Sequence, residues 1–91
     1  MTQSNYVRET PQYGVISEGI FEFEDQQEIR IERLYVKNTG TLEIRFSWWK
    51  DGHFITRPMH ATEEQLLDLF NEGIRVGVFT PDFRQRLRQL L

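Results

Sequence analysis

The sequence predicts an α+β domain: a four- or five-strand antiparallel meander packed against one helix, with a short C-terminal helix after it. Two observations carry that reading. Apolar and polar residues alternate from Tyr13 to about Pro58, interrupted only by the turn-type clusters "DQQ", "KNTG" and "KDG". From Thr62 the period changes to that of a helix, with Leu66, Phe70 and Ile74 spaced by four. Strands followed by helices, without alternation between the two, is the order of an α+β fold. The length of 91 residues suits one domain with one modest core.

Residues 1–12 show little periodicity and read as a flexible or irregular N-terminal segment, leaving 13–91 as a single α+β domain. In "GVISEGIFEFE", Phe21 and Phe23 share one face, and Glu22 and Glu24 share the other. "EIRIE" turns Ile29 and Ile31 inward, so pairing Phe23 with Ile29 and Phe21 with Ile31 serves both contacts. Leu34 and Val36 fall out of phase with those isoleucines, which predicts a bulge or sharp bend near Glu32-Arg33. "KNTGT" predicts a three-residue hairpin loop with a bulge at Gly40, pairing Val36 with Leu42 and Leu34 with Ile44.

Asp51-Gly52 predicts a tight hairpin that pairs Trp49 with Phe54 and Trp48 with Ile55. This assigns Leu42, Ile44, Phe46, Trp48 and Ile55 to the core face, and Glu43, Arg45, Ser47, Trp49, Phe54 and Thr56 to the outer one. Pro58, with no amide hydrogen, ends the meander. "TEEQ" is a capping box opening the first helix at Thr62, and Gly77 is its stop. Thr80 caps the last helix and Pro81 takes its first position, with Phe83, Leu87 and Leu90 as the apolar stripe.

The net charge of −3 is unevenly spread. One arginine faces six acids in residues 1–29, six basic residues face three acids in 30–57, and four arginines face five acids in 58–91. The basic excess therefore falls on the tryptophan-bearing hairpin. No apolar run approaches the roughly 20 residues of a membrane span. The N-terminus lacks the basic-then-apolar pattern of a secretory signal, so a cytoplasmic location is expected. Zero cysteines exclude disulfides, cysteine nucleophiles and thiolate metal sites. His53 and His60 match no metal spacing, there is no glycine-rich phosphate loop, and Ser4, Ser17 and Ser47 lack catalytic partners. The chain reads as a non-catalytic protein with no cofactor and no metal.

What remains is a binding surface. Trp49 and Phe54 are neighbours across the hairpin, Arg45 lies on the same side, and Lys50 and Arg57 flank them. Flat rings among basic side chains suit single-stranded nucleic acid, because bases stack on the rings while guanidinium and ammonium groups follow the phosphates. The same set suits a protein partner, with Trp49 and Phe54 as anchors of a regulator or inhibitor of a larger complex. It also suits a homodimer seam, or burial of Trp49 by the chain's own N-terminal segment or last helix.

The segment "YVKNTGTLEIRFSWWKDGHFITRPMHATEEQLLDLF" resembles the DNA-binding domain of the positive-cofactor-four transcriptional coactivators, over roughly residues 32–75. The likeness rests on element order and on "IRFSWWKDG" followed by a proline-bearing return strand and a capped helix. It implies a curved sheet, a dimer, and single-stranded DNA on the sheet, with Arg45, Trp49 and Lys50 carried to that face, and Phe54 and Arg57 beside them. The chain departs from the family where "TRPMHA" replaces a basic, glycine-containing stretch, and it adds an acidic hairpin before the shared region and a second helix after it.

Overall fold

Five antiparallel strands form one curled sheet in chain order: β1 (Arg8–Glu9), β2 (Tyr13–Phe23), β3 (Gln27–Val36), β4 (Thr41–Lys50) and β5 (His53–Ile55). Two helices follow, α1 (Glu63–Arg75) and α2 (Pro81–Leu90), which completes an α+β fold. The computed structural model describes residues 5–23 and 25–91; the expectations on residues 1–4 and on Glu24 lie outside the described residues. Within the N-terminal segment, Arg8 and Glu9 pair with Val15 and Gly14 and so add an edge strand.

The hairpins explain the registers. Asp51 (φ 51°) and Gly52 (φ 78°) make the two-residue turn with both central residues left-handed, and Trp49 pairs with Phe54 as expected. The first hairpin closes more tightly than the sequence suggests. Asp25 and Gln26 take up positive φ, Phe23 pairs with Gln27, and Phe21 rather than Phe23 faces Ile29. A shift of two keeps each side chain on its expected face.

The middle hairpin differs by one. Its loop holds four residues, 37–40, closed by the Gly40 amide donating to the Val36 carbonyl at 2.8 Å. Val36 therefore pairs with Thr41, Tyr35 with Leu42 and Leu34 with Glu43. An odd shift sends Leu34 to the face opposite Leu42 and Ile44. There it lies beside Val15, its partner on β2, and both are buried. The phase break in β3 is thus absorbed by burying apolar residues on both faces. The extra residue sits on the partner strand, between Val15 and Ser17, and not at Glu32-Arg33.

The capping box at Thr62 and Gln65 is present in both directions, and the Thr80 side chain accepts from the Phe83 amide ahead of α2. Helix α1 crosses β2 and β3, where the backbones come close. A Cβ on Gly19 would lie 2.9 Å from the Glu72 carbonyl carbon and the Gly73 nitrogen. The core is Ile29, Ile31, Leu69, Val78 and Phe79, with Phe21, Phe23, Trp48 and Phe70 packed against it. Because α1 lies over β2 and β3, it leaves much of β4 uncovered. Leu42, Ile44 and Phe46, expected in the core, are exposed.

Candidate nucleic-acid interface

On the sheet face away from α1, directly paired residues form rows: Glu18, Glu32 and Arg45; then Ile20, Arg30 and Ser47; then Glu22, Glu28, Trp49 and Phe54. At the centre stands Glu32, with a side chain fully excluded from solvent. It has four donors. Arg45 gives Nε at 2.8 Å and Nη2 at 3.1 Å, Arg8 gives Nη2 at 2.6 Å, and the Ser47 hydroxyl lies at 2.8 Å. Burial pushes the Glu32 carboxyl up, but the hydrogen bonds from Arg45 and Ser47 and the charges of Arg45 and Arg8 outweigh it. The net result is a carboxyl below its ordinary range.

The network extends outward. Arg8 Nη2 also donates to Glu18 at 2.8 Å. Arg30 binds Glu28 through Nε at 2.7 Å and Glu18 through Nη1 at 3.3 Å. The Trp49 indole N–H donates to the Ser47 oxygen at 2.9 Å, which ties the ring to Glu32 through one hydroxyl. The guanidinium of Arg30 sits 4.0 Å from the Trp49 ring centre and that of Arg8 5.1 Å, while Phe54 meets the ring edge-on at 5.4 Å. Arg45 lies over both Tyr13, at 5.1 Å, and Phe54, at 5.5 Å. What half-covers Trp49 is thus a pair of arginines from β1 and β3.

The layer has an order in depth. The Arg8 and Arg45 side chains are 34% and 26% exposed, above a Glu32 carboxylate at 0%. The Glu32 carboxylate lies underneath and aims the guanidiniums of Arg8 and Arg45, which are partly open to solvent, whereas Arg30, 14% exposed, lies level with Glu18 and Glu28. Phe54 is the open ring, 45% exposed.

Of the five residues singled out by sequence, Arg45, Trp49 and Phe54 come together here. Lys50 and Arg57 do not. Lys50 alternates with Trp49 along β4 and so shares the side of Trp48. Arg57 caps the Trp48 ring at 5.2 Å, on that same side. Sequence reasoning missed Arg8, Tyr13, Arg30 and Glu32. Arg8 lies in a segment without periodicity, and Glu32 and Arg30 look like ordinary outward-facing charges until the β3–β4 register sets Glu32 opposite Arg45. The one available signal was the phase break itself, "IRIERLYV", which puts Glu32 in line with the buried Leu34.

Among the described residues no group of histidines and carboxylates could hold a metal ion, and no helix is long and apolar enough to cross a membrane. Compared with protein-family models, with curated proteins and with solved structures, the chain matches none of them.

Proposed function

We propose that this chain is a non-catalytic binding module that takes single-stranded nucleic acid on the sheet face opposite α1, in a transcription-related setting. One observation carries the reading: Arg8, Arg30 and Arg45 converge with Tyr13, Trp49 and Phe54 on a sheet face with no described helix over it. Phe54 offers a ring for a base, and the outer edges of Arg8 and Arg45 lie where phosphates would pass. Because Glu18, Glu28 and Glu32 already balance the three guanidiniums, stacking supplies most of the affinity and counterion release little.

Titration of tryptophan fluorescence with a short single-stranded oligonucleotide at two salt concentrations tests this. The expected result is quenching with a shallow salt slope. Phe54→Ala should weaken binding by roughly 1–3 kcal/mol, the value of one stacked base. No quenching at low salt would sink the reading.

The same charge balance favours a second reading. A neutral patch of arginine and aromatic side chains has the composition of a protein-interface core, with Trp49 and Phe54 as anchors. A partner retained by the wild-type chain without oligonucleotide, and lost on Phe54→Ala, would select it.

A further inference from the structure

A second surface lies on the other side of the sheet. Phe46, Met59, Leu66 and Phe70 line an apolar groove between β4 and α1. Leu42 continues it along β4 at 55% exposure, and Leu67 along α1 at 71%. An aromatic line leads out of the groove. Phe46 stacks near Phe70 at 6.1 Å, Phe70 meets Phe79 at 5.5 Å, and Phe79 meets Phe83 of α2 at 5.2 Å. Groove and α2 are therefore two exposed apolar surfaces joined through the buried Phe79.

Helix α2 has the sequence of a packed helix and the surroundings of a free one. It is capped, starts with proline and carries Phe83, Leu87 and Leu90 on one side. Yet it buries no residue, and among the described residues it rests on no strand or other helix. Leu90 is 82% exposed. Val78 and Phe79, both buried, pin the link between the helices, so α2 stays outside its own chain's groove.

The charges of the two surfaces are opposite. Helix α1, which walls the groove, carries four acids and one arginine, and Glu63 stands at the groove beside Leu66 and Leu67. Helix α2 carries three arginines and one acid, with Arg86 flanking its apolar stripe. An apolar groove with an acidic wall and an apolar helix with basic flanks, both on one chain, complement each other between two copies related by a two-fold rotation.

We propose that two copies of the chain pair through a two-fold seam in which α2 of each lies in the β4–α1 groove of the other. The seam is on the opposite side of the sheet from Trp49, so it stands or falls independently of nucleic-acid binding. Sedimentation from about 1 μM to about 1 mM should show a species of twice the 11.0 kDa chain mass. Leu87→Asp on α2 and Leu66→Asp in the groove should each weaken pairing by about thirtyfold or more, with far-UV circular dichroism unchanged.

Mixing the two variants separates a broken seam from a broken fold. A mixed pair keeps one intact contact, the α2 of the Leu66→Asp chain in the groove of the Leu87→Asp chain, so the mixture should associate where neither variant does alone. A wild-type monomer throughout the range overturns the proposal. So does a dimer that survives Leu87→Asp, or a mixture of the two variants that stays monomeric.

Discussion

Glu32 sets the energetics of its neighbourhood because it is the member of the network that water cannot reach. Removing one partner of a buried ion pair leaves a buried charge poorly compensated, at a cost of about 3–5 kcal/mol. Arg45→Met should fall at the low end of that range, because Arg8 and Ser47 still bind the carboxylate. Urea denaturation would measure the loss. The pH dependence has a definite sign. The folded chain holds the Glu32 carboxyl below its ordinary value of about 4.3. Near and below that pH the unfolded chain takes up the proton first. The stabilisation is therefore present above about pH 4.3 and is lost as pH falls toward the lower folded value. Thermal melts from neutral to acid pH should steepen in that window for the wild type and be flatter for Glu32→Gln.

At the scale of elements, two glycines mark contacts of different stiffness. A Cβ at Gly19 meets the backbone of α1, which moves only if the whole helix moves. Gly19→Ala should cost about 1–3 kcal/mol, as overpacking does. A Cβ at Gly14 meets the far end of the Tyr6 ring at 2.2 Å, a side chain with rotatable bonds and not a helix backbone. Gly14→Ala should cost clearly less, and paired melting curves would compare the two. The same scale shows what the sequence could convey. Caps at Thr62 and Thr80 and the Asp51-Gly52 turn were legible because each is decided by residues within a few positions of one another. The middle register was not, since whether the loop that ends at Gly40 holds three or four residues depends on which amide closes it. That single residue decides which side Leu34 faces. The site was legible where the last tight turn aligns Trp49 with Phe54, and illegible where Arg8 arrives from far along the chain.

For the whole molecule, the position of α1 governs the surface. By lying over β2 and β3 it leaves the apolar side of β4 open, where alternation alone placed a core. If copies pair through that side, folding and association are linked, and the melting temperature should rise with protein concentration. Leu87→Asp should remove that dependence, and scanning calorimetry at several concentrations would show it.

The strand order β1-β2-β3-β4-β5 also has a consequence in time. Every ladder joins strands adjacent in sequence, so each closes a short loop and the sheet can zip from hairpin to hairpin without a long search. The Arg8–Glu32 pair spans 24 residues and needs β2 and β3 in place first. In pulse-labelled hydrogen exchange during refolding, amides across β2 and β3 should gain protection early. The Val7 amide, which donates to the Val15 carbonyl at 2.8 Å, should gain it last.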